Sequence, residues 1–238
     1  MKLVPALALA LAALLALDTA ALASAPTAVK ASYNVYRDGL HVATVDETFE
    51  RRGGKYQIVS ASNPAGVLKR LFKTQVRIHS NGTVTPTGLK PEQFDYGRLD
   101  DPSKNVMAQF DWAAEQLRMA YDGRKESIAL PAGTQDRLSL MYQFMFMPLA
   151  GSKLVSFPMT NGKKVESYRY QIAGSEALTT PLGTFQALRL IKQRDAGDNA
   201  VDVWLAPERG YMPVKVLIVE NDGAKFEQVI TRLEIKAD

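Results

Sequence analysis

The sequence lacks cysteine altogether and has only two histidines among its 238 residues. The first absence excludes disulfides, and it excludes an anchor attached through a lipidated N-terminal cysteine. His41 and His79 lie on different predicted strands without the spacing of metal ligands, and zinc sites are built mostly from Cys and His. We therefore predict no metal site and interpret both histidines as ordinary strand residues.

Sequence signatures of catalysis and of cofactor binding are also missing. The chain has no G-x-S-x-G nucleophile elbow, no P-loop and no glycine pattern of a dinucleotide-binding fold. The carboxylate pair Asp100-Asp101 precedes Pro102, where aspartate favours a turn, and no third group completes an acid–base site. We predict no catalytic residues and no cofactor, and therefore a protein that is not an enzyme.

Neither sign of charge dominates the sequence. The 29 basic and 25 acidic side chains are interspersed, and the net charge is +4. A nucleic-acid binder needs a dense basic surface, which this even mixture does not provide. A weak attraction to anionic lipid or to an acidic partner remains compatible with the charge.

Only one long apolar run is present, and it lies at the N-terminus. Lys2 precedes residues 3–17, which are almost all Ala, Leu and Val, and Ala21-Leu22-Ala23 has the small-x-small form that signal peptidase accepts. We predict a signal peptide over residues 1–23 and a single β-rich domain over residues 24–238. The run is short for a bilayer span, so we expect a soluble periplasmic protein with no transmembrane span and no lipid anchor.

Short runs that alternate between apolar and polar residues dominate the rest of the chain, and turn dipeptides separate them. Asn-Gly and Asp-Gly tolerate the positive φ of tight hairpin turns. The predicted turns are at Asp38-Gly39, Gly53-Gly54, Asn81-Gly82, Asp122-Gly123, Asn161-Gly162 and Asp222-Gly223.

The predicted strands have one apolar and one polar face, which is typical of an antiparallel sheet covered on one side. So many strands in succession favour a strongly curved sheet or an incomplete β-barrel, since a long open sheet exposes its edges. We predict a mainly β fold of this kind, with one or two short helices covering or filling the concave side. The strands are predicted at residues 32–37, 41–51, 55–60, 72–80, 83–89, 106–112, 117–121, 155–159, 168–172, 185–193, 201–205, 214–219 and 226–235, with residues 91–98 as a connection or an edge strand.

Residues 134–147 interrupt the β pattern with a predicted helix. Thr134 can cap its N-terminus, Asp136 suits its first turn and Pro148 marks its end. Apolar residues nearly surround the helix, which is typical of a buried one, and methionine repacks around varied ligands at low cost. The helix either fills the core of the sheet or lines a ligand site, and the lining candidates are then Leu138, Met141, Tyr142, Phe144 and Met145.

Residues 63–73 are predicted to form a second, shorter helix. Its ligand-lining candidates are Val67, Leu71 and Phe72, while Lys69, Arg70 and Lys73 lie towards the other face. Such a basic amphipathic segment can gate an apolar cavity or touch anionic headgroups. The alternative is a short helix that caps the barrel with its lysines in solvent.

Residues 179–218 combine strand signals with two turns. Proline and glycine set these turns at residues 181–183 and 207–210. Trp204 precedes the second turn and can anchor the sheet through its large apolar area. We also treat Trp204 as a candidate for lining a ligand site.

Four short motifs follow the exported N-terminus in a fixed order. They are GLKP at residues 88–91, GTQDRLS at 133–139, TPLGTF at 180–185 and WLAP at 204–207. Together they resemble the bacterial domain-of-unknown-function family DUF3108 over essentially the whole mature chain. This resemblance implies no catalytic residues.

A more distant resemblance is to the late strands of LolA- and LolB-type lipoprotein carriers, through Trp-Leu-x-Pro, a short turn and Met-Pro-Val-Lys-Val. It implies an unclosed barrel with helices over its mouth and a cavity for acyl chains. We therefore expect a non-enzymatic periplasmic protein that binds a lipid or another apolar ligand during envelope transport or maintenance. The alternative is a structural or protein-interaction module of an envelope complex, recruited through an exposed strand edge.

Overall fold

A computed structural model provides the fold of the chain and describes residues 26–66, 75–195 and 197–237. The predicted signal peptide lies outside these ranges. So does most of the second predicted helix, of which residues 63–64 belong to a strand instead.

Fifteen strands of the described residues form one sheet. They are β1 (Ala28–Arg37), β2 (Leu40–Arg52), β3 (Lys55–Pro64), β4 (Val76–Thr85), β5 (Gly88–Arg98), β6 (Val106–Asp111), β7 (Gln116–Tyr121), β8 (Arg124–Ala129), β9 (Gln135–Asp136), β10 (Leu154–Thr160), β11 (Val165–Thr180), β12 (Gly183–Gln193), β13 (Ala200–Ala206), β14 (Met212–Val219) and β15 (Lys225–Lys236). The predicted mainly β class is confirmed.

The strand order is β8-β7-β6-β5-β4-β3-β2-β1-β15-β14-β13-β12-β11-β10-β9. Consecutive strands from β1 to β8 and from β10 to β15 pair antiparallel, whereas β9 pairs with β10 in parallel. The two runs of strands are joined where β1 pairs with β15. The sheet is open, with β8 and β9 as its edges.

The sheet curls until its last strand meets its first half. β9 contacts β5, although the two stand at distant places in the strand order. Among the described residues, side chains rather than a strand ladder join them: Gln135 Nε2 donates to the Leu89 carbonyl over 2.8 Å. Nearby, the Lys163 ammonium lies 2.8 Å from the Asp122 carboxylate on the β7–β8 turn. We call this line of contacts the seam.

A glycine allows close packing at the seam. Gly162 lies in the β10–β11 turn with a φ of +84°, which favours glycine. A Cβ added there would collide with Val106 and would stand 3.3 Å from the Phe94 ring. The tip of the β10–β11 hairpin therefore rests directly on β5 and β6.

Two predictions around β4 and β5 are wrong, although the other five turn dipeptides do lie between strands. Asn81-Gly82 lies within β4, and the hairpin turn comes at residues 86–87. The register shifts at this point because Pro91, opposite on β5, has no N–H to continue the ladder. Residues 91–98 are not an edge, since β5 lies between β4 and β6 and its Phe94 is fully buried.

The helix predicted at residues 134–147 is much shorter in the structure. α1 spans Ser139–Gln143, and a 3₁₀ turn follows at Phe144–Phe146. Thr134 does not cap it, because the Thr134 hydroxyl donates to the Pro131 carbonyl over 2.6 Å. No helix in the described ranges has both the length and the apolar character needed to cross a bilayer.

Asp136 explains why α1 begins late. Its backbone pairs with β10 as part of β9, and this strand conformation excludes a helix. Its side chain accepts hydrogen bonds of 2.9 and 2.8 Å from the N–H groups of Leu138 and Ser139. An aspartate in this local arrangement offers the backbone an alternative to helix, so the helix can start only after it.

α1 contributes to two hydrophobic clusters. The larger cluster contains buried residues of β1–β7 and β12–β15, together with Leu130, Leu138 and Tyr142. The smaller cluster contains Leu140, Phe144, Leu149, Val155, Phe157, Met159, Tyr170, Leu190, Val203 and Leu205. The short segment around α1 therefore packs against both runs of strands.

Candidate functional site

Gln143 fastens the end of α1 to the start of β5. Its Oε1 accepts a hydrogen bond of 2.7 Å from the Leu89 N–H, and its Nε2 donates to the Thr87 carbonyl over 2.9 Å. Gly88, between these two residues, has a φ of +111°, and a Cβ there would collide with the Gln143 side chain. Glycine at this position makes the contact possible.

A buried row of polar groups leads from β3 and β4 to the segment before α1. Tyr56 Oη lies 3.2 Å from Ser80 Oγ, which donates to Asp136 Oδ2 over 2.6 Å. Asp136 is fully buried. Burial raises the pKa of its carboxyl, and the hydrogen bonds from Ser80 and from the backbone partly lower it. Asp136 thus ties β4 to the start of α1.

Glu47 forms a second buried polar contact, on β2. Its two carboxylate oxygens accept hydrogen bonds of 3.1 Å each, one from the Ser60 hydroxyl and one from the Tyr142 hydroxyl of α1. The Tyr142 ring stacks on Phe49, with 5.5 Å between centroids. Burial raises the pKa of the Glu47 carboxyl and of the Tyr142 phenol.

The chemistry open to these two carboxyl groups follows from their surroundings. Glu47 is 8% exposed and Asp136 is 0% exposed, and donors of the chain itself hold both. A general acid or base must reach the proton that it transfers to or from a substrate. The geometry therefore favours a role in holding α1 on the sheet.

The predicted lining residues near α1 fall into two groups. Leu138, Tyr142 and Phe144 are buried within the clusters. Met141 and Met145 are half-buried, and Met141 packs against both clusters. The structure thus brings all five together, with the two flexible side chains at the partly exposed positions.

Trp204 is enclosed by its own strand neighbours. Its Nε1 donates to Glu176 over 2.5 Å, and the cations of Arg189 and Lys215 lie 5.1 and 5.2 Å from its ring. Arg189 and Lys215 are its register partners on β12 and β14. Its neighbour Val203 belongs to the smaller cluster, whereas Trp204, on the other face of β13, is buried in the larger cluster that also contains Leu138 and Tyr142.

The remaining predicted positions lie elsewhere. Val67, Leu71 and Phe72 are outside the described residues. His41 contacts a nearby backbone carbonyl, and His79 Nδ1 lies 3.8 Å from Asp95 Oδ2. Asp101 accepts a hydrogen bond of 3.2 Å from the Ser103 N–H, as expected of a turn. The described part of the chain contains no group of three or more potential metal-ligating side chains.

Sequence comparison identifies the family. The model of a protein family of unknown function, DUF3108, matches residues 32–229. The chain belongs to the DUF3108 family. This match confirms the resemblance carried by the four motifs. The sequence matches no protein of curated function.

Several solved structures are similar to this DUF3108 chain at low sequence identity. A β-barrel-like protein of the DUF1849 family from Brucella abortus gives a TM-score of 0.56 at 10% identity, covering 90% of this chain and 99% of that one. A Bacteroides fragilis protein with a YmcC-like fold gives 0.37 at 11% identity, covering 88% and 96%. The hypothetical protein CT021 from Chlamydia trachomatis gives 0.36 at 8% identity, covering 87% and 88%. The first of these supports a barrel-like fold.

Sequence reasoning missed the polar residues that hold α1 in this DUF3108 chain. One of them carries a readable signal: Glu47 alternates with Val45 and Phe49, which places a carboxylate on the inward face of β2. The sequence predicts Asp136 in the first turn of a helix, whereas in the structure it belongs to β9. Gln143 carries no local signal, because its partners on β5 are distant in the sequence.

Proposed function

We propose that this DUF3108 protein is exported, is not an enzyme, and binds a lipid or another apolar molecule on the concave side of its curved sheet. In this proposal α1 and the turn after it cover that side, and the ligand lies against them. One observation carries the proposal: Met141, Met145 and Phe146 remain half-buried, all three pack against the larger cluster, and Met141 also packs against the smaller one. Methionine adapts its shape to a neighbouring apolar surface at low cost.

The hydrogen bonds of α1 indicate where such a ligand lies. Tyr142 and Gln143 bond to β2 and to the β4–β5 hairpin, whereas Leu140 and Phe144 face the smaller cluster through apolar contacts. An apolar chain cannot replace a lost hydrogen bond, but it can replace an apolar contact. We therefore place the ligand beside Met141, at the half-buried margin where α1 meets the smaller cluster.

Lipid extraction tests the proposal. Protein purified without detergent from its native cells is extracted, and the extract is analysed by mass spectrometry. We expect a bound apolar molecule, and we expect Met141→Lys to reduce its amount about tenfold or more because a charge is costly against an apolar chain. Met107→Lys is the matched control, since Met107 is 45% exposed on β6. Protein that carries no lipid and takes up none on titration would contradict the proposal.

The proposal includes export and one folded domain. A signal peptide over residues 1–23 would leave residues 24–238 as a single domain in the periplasm, where it serves lipid transport or envelope maintenance in the manner of LolA- and LolB-type carriers. The pairing of β1 with β15 supports the single domain, because it joins both ends of the described chain in one sheet. Cell fractionation and N-terminal sequencing test this, with Ser24 as the expected first residue.

A second candidate function is recruitment of a protein in an envelope complex. It is favoured by β8, an edge strand whose residues are all exposed. An exposed edge can accept a strand from another protein. Recovery of one stoichiometric protein partner, with no lipid bound, would favour this function over ligand binding. Loss of that partner on Ser127→Pro would locate the interaction on β8, because proline cannot donate a ladder hydrogen bond.

A further inference from the structure

Arg137 lies at the seam, between β9 and α1. Its backbone N–H donates to the Thr160 carbonyl over 3.1 Å, which fixes the position of the residue. The central carbon of its guanidinium lies 5.5 Å from the centroid of the Tyr96 ring on β5. No described residue makes a hydrogen bond or an ion pair with this guanidinium. Its N–H donors are therefore available to a ligand.

The side chain of Arg137 keeps contact with solvent beside buried residues of the seam. The residue is exposed, yet its neighbours Asp136 and Leu138 are buried. Surrounding protein lowers the pKa of the guanidinium, whereas the electrostatic influence of Tyr96, Asp136 and Tyr168 raises it. The guanidinium thus keeps contact with solvent while protein partly surrounds it, with the Tyr96 ring on one side, and we call these surroundings the recess.

A comparison with Arg189 shows what is unusual about Arg137. Arg189 also stacks on an aromatic ring, 5.1 Å from the centroid of Trp204. Its guanidinium, however, donates to Asp202 over 3.1 and 2.5 Å. Arg189 is thus neutralised by a strand neighbour, while Arg137 stands in its recess without such a partner.

We infer that Arg137 is an anion site and that it binds the carboxylate headgroup of a single-chain amphiphile. This inference rests on the proposed function, because the chain of the same amphiphile would lie along Met141, which follows Arg137 by four residues. The planar fork of a guanidinium matches a carboxylate with two parallel hydrogen bonds. The rings of Tyr96 and Tyr168 would flank the headgroup.

The charge of the recess favours a carboxylate over a phosphate. Arg137 supplies one positive charge, and two buried carboxyl groups, Glu47 and Asp136, are close enough to influence its pKa. A dianionic headgroup would meet one cation and two acidic groups. A singly charged carboxylate pairs with the guanidinium alone and brings less repulsion.

Paired ligands of equal chain length test this inference. Dodecanoate, dodecanol and dodecyl phosphate each displace the neutral fluorophore phenylnaphthylamine from the purified full chain at mildly alkaline pH. We expect dodecanoate to bind about tenfold more tightly than dodecanol, because its carboxylate forms charge-assisted hydrogen bonds with the Arg137 guanidinium. Arg137→Met should remove that difference and leave dodecanol binding unchanged, and Arg137→Lys should restore part of it.

Arg37→Met is the matched control, because Arg37 also stacks on an aromatic ring, 5.2 Å from the centroid of Phe226. It should keep the preference for the acid, and the thermal unfolding of each variant shows that it is folded. Equal binding of acid and alcohol to the unaltered chain would overturn the role of Arg137 and leave the proposed function standing. Tighter binding of dodecyl phosphate would overturn the choice of a carboxylate. Displacement by none of the three would overturn both proposals.

Discussion

The two surfaces that α1 touches differ in chemistry. Towards the larger cluster, Tyr142 bonds to Glu47 and Gln143 bonds to the start of β5. Towards the smaller cluster, Leu140 and Phe144 make apolar contacts. The hydroxyl of Tyr170 on that side is buried, and none of the described residues forms a hydrogen bond with it.

This difference shows which contact of α1, with the larger or with the smaller cluster, fixes its position. A buried donor or acceptor that loses its partner destabilises the folded chain, so a buried hydrogen bond favours a single geometry. Apolar contacts tolerate several geometries at similar energy. The larger cluster therefore sets the position of α1, and the smaller cluster is the side on which α1 can admit another apolar surface.

Phe144→Ala tests whether the smaller cluster is a packed core. Phe144 is fully buried, and its ring meets Phe157 and Tyr170 edge-on at 6.0 and 5.9 Å. We expect the free energy of unfolding to fall by about 3–5 kcal/mol, because the ring is lost and a cavity remains. Urea denaturation measures the change, and Leu154→Ala, at an exposed position at the start of β10, should stay within about 0.5 kcal/mol. A fall of less than about 1 kcal/mol for Phe144→Ala would mean a loosely packed cluster.

Asp136→Ala tests the polar side in the same way. It removes the acceptor of the Ser80 hydroxyl and of two buried backbone N–H groups. We expect a loss of about 3 kcal/mol in the free energy of unfolding, since each buried donor left without a partner is costly. Asp222→Ala is the control, because Asp222 accepts one backbone N–H in an exposed turn. If both variants unfold alike, the buried network contributes little to holding α1.

Two tyrosine variants make the comparison sharper, because one chemical change should have opposite effects on the two sides. Tyr142→Phe removes a donor to Glu47, and we expect a loss of about 1–2 kcal/mol in the free energy of unfolding. Tyr170→Phe removes a buried hydroxyl that has no hydrogen-bond partner in the described part of the chain, and we expect a gain of about 1 kcal/mol. Chemical denaturation measures both. Changes of the same sign would show that the two sides do not differ in this respect.

Glu47→Gln tests the cost of the buried carboxyl through pH. Burial raises the pKa of Glu47 above its usual value of 4.5, so the folded chain holds this proton more strongly than the unfolded chain. Its contribution to stability is therefore complete below pH 4.5 and declines as pH rises through the folded-state pKa. Glu47→Gln should raise the melting temperature at neutral pH and flatten its dependence on pH. Glu92→Gln, in an exposed pair with Lys55, should leave that dependence unchanged.

Local patterns predicted the strands well but not their long-range contacts. Alternation and turn dipeptides identified most hairpins, since both reflect neighbouring residues. Residues 91–98, predicted as a connection or an edge strand, form part of an interior strand, where Pro91 lies opposite a register shift at Gly82. The turn predicted at Asn81-Gly82 is wrong because Gly82 lies inside β4. A side chain at Gly82 would collide with the backbone of β5, so glycine there allows the two strands to pack closely.

The candidate site was predicted in its apolar half only. Helical spacing identified Leu138, Met141 and Tyr142, which the structure brings together. The polar half depends on contacts across the seam and across the sheet, such as Ser80 with Asp136, 56 residues apart. The length of α1 also depends on such contacts, because pairing of β9 with β10 holds Asp136 in a strand.

The ladder between β1 and β15 has a consequence for how the chain reaches this state. Tyr33 aligns with Ile230, so one edge of β1 waits for a partner that lies almost two hundred positions later. Contacts so distant in sequence form only after the chain has lost a large amount of conformational entropy, and their formation is therefore slow. During that delay β1 presents unpaired backbone groups to any other extended chain nearby. This topology therefore requires that the unpaired edge of β1 be protected from other chains until β15 has been made and has paired with it.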